Sequence, residues 1–178
     1  SLGVAAKQLS VADIASGDLS KFNTIILDNR SYEAHPELIP VNDRLLKYAE
    51  DGGTLLVFYH KTVEWNPDER QKRPQLAPYS IVLSDDRVTE EDAPIGVLQP
   101  HHPLFNSPNR ITQADFENWI QERGLYFPKE WDSHYAALLT TSDKGEPPLR
   151  GGLLVAPYGK GNYIYTSMVW YRQLRAGI

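Results

Sequence analysis

The sequence contains no cysteine among its 178 residues. That absence removes disulfides, thiolate metal sites and cysteine nucleophiles at once. It leaves the compartment open, because many exported bacterial proteins also do without cysteine. Long apolar runs are missing too: none reaches the roughly 18 residues that a membrane-spanning helix needs. An excess of positive charge is lacking, since 18 lysines and arginines face 23 aspartates and glutamates for a net charge of -5. That balance argues against nucleic acid or an anionic membrane as the partner. The sequence shows neither an internal repeat nor a low-complexity tract, and its first residues do not read as a secretory leader.

What is present is the composition of a globular protein, 41% hydrophobic and 23% charged, at a length that fits one domain over residues 1–178. The opening Ser1-Leu2-Gly3 reads as a helix tail with its glycine cap, leading into a strand over residues 4–9. A chain that starts on a helix tail and stops at Gly177-Ile178 is expected to be a piece of a longer protein.

The rest is organised around Asp51 to Lys61. A helix over residues 42–50, with Leu45, Leu46 and Ala49 at helical spacing, stops at Gly52-Gly53 and gives way to an apolar strand over residues 54–59. A second apolar strand, residues 24–28, ends in Asp28 and is followed by a polar loop over residues 29–33. Strand, helix, strand implies a parallel crossover. Ligands of open α/β sheets bind beyond the carboxyl ends of the strands, which places His60 and Lys61 where chemistry is expected.

Elsewhere the pattern predicts a weak helical turn at 11–18, a long polar excursion at 61–79, a charged turn at 88–92, and short strands at 79–83, 95–98 and 136–140. A rigid segment with three prolines spans residues 100–109. A helix is expected to open at Thr112 with Asp115 in capping-box position, to carry Phe116, Trp119 and Ile120 on one face, and to end near Gly124. An aromatic loop follows at 125–131. Strands at 152–156 and 162–169, joined through Pro157-Tyr158-Gly159-Lys160-Gly161, predict a β-hairpin. Both alternating sets of hairpin residues are largely apolar, so it should be covered on both faces. Gly159 and Gly161 are expected to supply positive-φ turn conformations.

Several phrases together carry a resemblance. They are Gly52-Gly53-Thr54-Leu55-Leu56-Val57, His102-Pro103-Leu104, Pro108-Asn109-Arg110-Ile111-Thr112, Glu122-Arg123-Gly124-Leu125-Tyr126-Phe127, and residues 151–161 from Gly151 to Gly161. In this order and spacing they resemble the class I glutamine amidotransferase-like domain that follows the catalytic domain in some large bacterial proteins of the PIG-L (LmbE-like) deacetylase family. The likeness runs from about residue 2 to residue 176. It implies an α/β, flavodoxin-like three-layer sandwich with a mostly parallel sheet and a C-terminal hairpin. It also implies an accessory, non-catalytic domain of an exported carbohydrate-processing protein, whose partner is the parent deacetylase domain or a second copy of itself. Similar folds serve as subunit-contact domains in glycosidases. The zinc chemistry of that family belongs to the other domain, whose His-Pro-Asp-Asp motif has no counterpart here, so no catalytic residue is carried over.

The residues themselves leave a second reading. Asp28, Arg30, Tyr59, His60 and Lys61 fall beyond two adjacent strand ends and, with Glu64 and Trp65, could line a crevice for a sugar derivative, as a binding or hydrolase site. The plainer alternative is that Asp28 and Arg30 cap or pair with neighbouring loops. The aromatic set Trp119, Tyr126, Phe127, Trp131, Trp170 and Tyr171 offers either a carbohydrate platform or ordinary core packing. His60, His101, His102 and His134, even with Glu64 or Asp115, show no chelating spacing, so neither a metal nor another cofactor is expected. The acidic run at residues 85–92 reads as a solvated face.

An amidotransferase needs a thiolate, a histidine base and an orienting carboxylate. With no cysteine, and no Gly-x-Ser-x-Gly elbow in its place, the purified protein should release no ammonia from glutamine above a heat-killed control. Ammonia release abolished by substituting Tyr59 or His60 would overturn this.

Overall fold

The computed structural model describes residues 5–177. In chain order the elements are α1 (Val11–Ser16), β1 (Thr24–Leu27), α2 (Ser31–Ala34), α3 (Asn42–Glu50), β2 (Thr54–Phe58), α4 (Thr62–Trp65), β3 (Ile81–Leu83), β4 (Arg87–Val88), β5 (Ile95–Val97), β6 (Gly124–Leu125), β7 (Pro128–Trp131), β8 (Ala136–Thr141), β9 (Leu149–Tyr158), β10 (Gly161–Thr166) and α5 (Trp170–Ala176). Short 3-10 turns fall at Leu19–Lys21, Pro36–Val41, Pro103–Phe105 and Gln113–Phe116. The architecture is α/β. A six-stranded sheet runs in the order β1-β2-β10-β9-β8-β5, and two small two-stranded ribbons, β3-β7 and β4-β6, lie apart from it.

The α3–β2 joint forms as its sequence dictates. Leu45, Tyr48 and Ala49 of α3 are buried, and the helix ends where Gly52 takes φ 127°. Gly53 lies directly under the Tyr48 ring, so that a Cβ there would fall 2.1 Å from the Tyr48 Cζ. β2 then runs parallel to β1, with Ile25 opposite Leu55 and Leu27 opposite Val57.

The sheet is mixed, not mostly parallel. β1-β2 and β2-β10 are parallel, whereas β10-β9, β9-β8 and β8-β5 are antiparallel. The reason is the C-terminal hairpin. Hairpin strands must be antiparallel, and β10 is inserted beside β2 in the middle of the sheet instead of being added at an edge. Beyond it the directions alternate, with β9 and β5 running against β10 and β8 running with it.

Each sheet face carries its own core. Leu55, Val57, Leu154, Ala156, Tyr163 and Tyr165 pack with α3, Tyr32, Trp65 and Leu76 on one face. Leu153, Val155, Ile164, Leu138 and Leu139 pack with Phe116, Trp119, Phe127 and Met168 on the other. The hairpin is therefore covered on both sides, as its two apolar registers imply.

Several local expectations are corrected. Residues 5–9 carry no strand, and residue 4 and the Ser1-Leu2-Gly3 helix tail lie outside the described residues. The predicted helix from Thr112 is a single 3-10 turn. Asp115 does accept hydrogen bonds from the Thr112 N–H (2.7 Å) and Oγ1 (3.0 Å), but Asn118 and Gln121 take φ 57° and 70° and break the continuation. Ile120 is left 38% exposed, and Gly124 belongs to β6. The excursion at 61–79 contains α4, and the aromatic loop at 125–131 contains β7, which pairs with β3. Gly159 has φ 58°, but Gly161 is not a positive-φ residue. Gly161 is glycine because a Cβ would lie 2.1 Å from the Gly53 carbonyl oxygen and 2.3 Å from that of Ala49.

Leu154 is fully buried and Lys160 is exposed at the hairpin tip. Leu154→Ala should cost on the order of 2–5 kcal/mol, and Lys160→Ala within about 0.5 kcal/mol, in denaturant titrations. Lys160→Ala proving the more damaging would show that this lysine contacts something the fold depends on.

Candidate functional site

The carboxyl ends of β1, β2 and β10 meet in a polar and aromatic node. Its centre is His60, wholly buried immediately after β2. Its Nδ1–H donates to the Phe58 carbonyl at 2.8 Å, and its Nε2 accepts from the Tyr32 N–H at the start of α2, at 3.4 Å. A carbonyl on one nitrogen and an N–H on the other fix the neutral tautomer. The His60 N–H in turn donates to the Tyr165 hydroxyl of β10 at 3.3 Å. The imidazole packs against Tyr32 and Trp65, with ring centroids 5.0 and 5.4 Å away, and Trp65 packs on Tyr165 at 5.0 Å. Burial pushes the His60 pKa down to about 4, against smaller opposing effects of its bond to Phe58 and of the Glu64 carboxylate.

Over this node sits an ion pair. Arg30 takes φ 58° at the turn after β1, where its N–H bonds the Tyr59 carbonyl at 3.0 Å. Its Nε donates to Glu64 Oε1 at 3.0 Å, and its guanidinium also pairs with Glu33. Glu64 is nearly buried, and its second oxygen caps the Lys61 N–H at 3.1 Å at the start of α4. Below, the Tyr32 hydroxyl donates to Asn42 Oδ1 at 2.5 Å, and Asn42 Nδ2 to the Leu76 carbonyl at 2.9 Å. Trp65 donates its indole N–H to the Ile81 carbonyl at 3.0 Å, tying α4 to β3.

Of the seven residues singled out from the sequence, Arg30, His60, Glu64 and Trp65 come together. Asp28 is exposed and caps the Asn29 N–H at 2.8 Å. Lys61 is half-buried and takes part through its backbone. Tyr59 is on the opposite sheet face, where its ring lies 6.0 Å from Tyr126 and 6.3 Å from Tyr171. Burial, then its hydrogen bond with Tyr171, pushes the Tyr59 phenol up. Arg172 lies over Tyr171 at 5.1 Å and meets Glu122 at 2.9 Å. The proposed crevice is thus divided by the sheet that was to line it. Tyr32, Asn42 and Tyr165 were not foreseen as parts of it. The sequence signals for them were only an aromatic two positions after Arg30 and an alternating Tyr163-x-Tyr165.

The six aromatics proposed as a platform do not share one surface. Trp119 and Phe127 are buried in one core, whereas Trp131 packs against the other. Among the described residues no three His, Asp or Glu side chains converge as a metal site, and no helix is long and apolar enough to cross a membrane. Among the described residues, two open clefts lie away from these seven positions. One, of about 590 Å³, lies at the opposite end of the sheet between Asp18, Asn23, Arg44, Tyr48 and Gly53. The other, of about 490 Å³, lies beside Gln113, Trp119 and Arg123.

The node ties the β1 turn, α2 and α4 together. Both His60 nitrogens are engaged, and the Arg30 and Glu64 charges neutralise each other. The unfolded imidazole titrates near 6.5 and the folded one near 4. Between those values the unfolded chain binds the additional proton, so stability should fall as pH drops from 6.5 to 4. The full contribution, about 3 kcal/mol, is present above that window. Urea titrations at pH 7 and pH 5 should show this loss in the parent protein and a much smaller one in His60→Gln. Equal losses in both would place the sensitivity elsewhere.

No family model matches the sequence, and no curated protein matches it. Solved structures do resemble the fold. The cytoplasmic protein STM1381 from Salmonella typhimurium LT2 aligns with TM-score 0.53 at 15% identity, over 93% of this chain and 71% of that one. The cytoplasmic protein STM3548 from Salmonella typhimurium aligns with TM-score 0.49 at 16% identity, over 96% of this chain and 74% of that one. A β-galactosidase from Rahnella sp. R3 aligns with TM-score 0.48 at 16% identity, over 86% of this chain and only 21% of that enzyme. At such identities the likeness is one of fold alone, and only the alignment with STM1381 is close enough to support it: the two share a general α/β architecture.

Proposed function

We propose that the chain is a non-catalytic accessory or interaction domain, of the kind attached to PIG-L-type carbohydrate deacetylases, with a flavodoxin-like, class I amidotransferase-like fold. The observation that carries this reading is His60. An amidotransferase needs a nucleophile and a free base where this chain has Tyr59 and His60. Here the tyrosine is packed among aromatic rings, and the histidine is buried with both nitrogens bonded. The Arg30–Glu64 pair is spent in the same way, on holding the β1 turn to α4. A site whose polar groups all satisfy one another rigidifies a fold and has little left to offer a substrate.

The assay is direct. The purified chain should hydrolyse neither N-acetylglucosamine derivatives nor nitrophenyl glycosides, and by calorimetry it should bind the deacetylase domain encoded in its own reading frame. Turnover that disappears on Asp28→Asn would overturn the reading in favour of a hydrolase working at the exposed rim of β1.

A further inference from the structure

The cleft beside Gln113, Trp119 and Arg123 has a buried cation in its floor. Arg123 follows the left-handed residues Asn118 and Gln121 and is only 5% exposed. Its Nε donates to the Ala93 carbonyl at 2.9 Å, and its Nη1 to the Phe116 carbonyl at 2.6 Å. Its Cζ lies 5.2 Å from the centre of the Trp119 ring. Nη2, with two N–H groups, has no hydrogen-bond partner among the described residues, and neither bonded carbonyl carries a charge. Arginine keeps its proton in proteins, and a buried cation without a counter-ion is costly. Burial pushes the Arg123 pKa down, against the weaker opposing pull of Asp92. Asp92 is thus near enough to be felt, yet among the described residues it forms no ion pair with Arg123.

The rim has the opposite sign. Glu91, Asp92 and Glu117 line the same cleft and are exposed to solvent. The loop that carries the first two is anchored at its foot. There the Asp143 carboxylate accepts from the Thr89 and Glu90 N–H groups, each at 2.9 Å. Glu91 accepts from the Gln121 N–H at 2.8 Å and so joins the two walls. Asp92 and Glu117 stand on opposite walls, one before β5 and one after Phe116.

We propose that this cleft binds a small zwitterion, an amino acid or a carboxylate-bearing amino sugar, with its carboxylate on Arg123 Nη2 and its ammonium against Asp92 and Glu117. Opposite charges at two depths select such a ligand. A plain anion is drawn to the floor but repelled by the rim, and a plain cation the reverse. A guanidinium presents N–H donors in a plane that matches a carboxylate, and the carboxylate supplies the counter-ion that Arg123 lacks. The volume, about 490 Å³, is ample for a molecule of this size. Phe116 and Trp119, buried beneath the cleft, belong to the core on the sheet face away from His60. The site is therefore separate from the node, and the inference goes beyond the interaction-domain reading without resting on it.

An NMR titration of the whole chain, labelled with ¹⁵N, tests it, because the Trp119 indole N–H and the Arg123 Nε–H give signals of their own. L-Alanine and muramic acid are the zwitterionic probes. Propionate and glucosamine carry one charge each, and inorganic phosphate is the competing anion. At least one zwitterion should shift both signals at millimolar concentration and bind at least about tenfold tighter than the three single-sign probes. Which zwitterion binds tighter tells an amino acid from an amino sugar. Arg123→Lys keeps the charge but loses the planar fork and should abolish the response. Because Arg123 is buried, the deciding variant changes the exposed rim instead. Asp92→Asn with Glu117→Gln should weaken zwitterion binding about fivefold, the size of two exposed charge contacts, and should tighten propionate binding. A melting temperature near the parent's confirms that this variant folds. Signals that no probe moves, phosphate or propionate bound as tightly as both zwitterions, or a rim variant with unchanged zwitterion affinity overturns the proposal. The interaction-domain reading fails separately, by turnover or by failure to bind the deacetylase domain.

Discussion

The structure depends on one close approach of backbone to backbone. The β9–β10 hairpin tip presses onto the α3–β2 turn, where Lys160 N–H bonds the Glu50 carbonyl at 2.8 Å and Asn162 N–H bonds that of Gly53 at 3.1 Å. Gly161 meets two carbonyl oxygens at distances that no side chain tolerates, and Gly53 is roofed by Tyr48. That contact fixes the register of β10 against β2, Asn162 opposite Thr54 through Thr166 opposite Phe58. Because side chains alternate along a strand, a slip of one residue would exchange the two cores. Tyr163 and Tyr165 would leave the α3 side, and Ile164 would enter it.

The same register assembles the node at the other end of the sheet. It delivers the Tyr165 hydroxyl to the His60 N–H and the Tyr165 ring to Trp65. With Tyr165 in place, His60 is enclosed and held neutral. Tyr32 is bonded to it through its N–H, and to Asn42 through its hydroxyl. Arg30 and Glu64 close the top. A buried polar network is stable only if each member finds its partners, since an unpaired buried group costs roughly 1–3 kcal/mol. This node has partners for both nitrogens of His60 and both oxygens of Glu64, which is why it reads as a fastener of three strand ends and two short helices.

Much of this was legible locally. Helix α3, its Gly52-Gly53 stop, β1, β2 and the hairpin all follow from short-range pattern, because periodicity and glycine placement act within a few residues. The failures share a cause. Thr112-Gln113-Ala114-Asp115 has a helix start, but Asn118 and Gln121 adopt positive φ so that the chain can turn and deliver Arg123 to the carbonyls of Ala93 and Phe116. That demand comes from residues far along the chain. The crevice failed similarly: Tyr59 and His60 are neighbours in sequence, and a strand sends neighbours to opposite faces.

By itself, then, the sequence determined the α/β class, the joint at residues 42–59, the two-sided apolar hairpin and the lack of a thiol nucleophile. These rest on composition and on interactions between residues close in the chain. Only the tertiary structure decided that β10 lies beside β2, that the sheet is therefore mixed, and that His60 is buried with both ring nitrogens hydrogen-bonded. Those outcomes depend on partners 28 and 105 residues away from His60, Tyr32 and Tyr165. No local pattern encodes such a meeting, because it is set by which surfaces the whole chain can bury together.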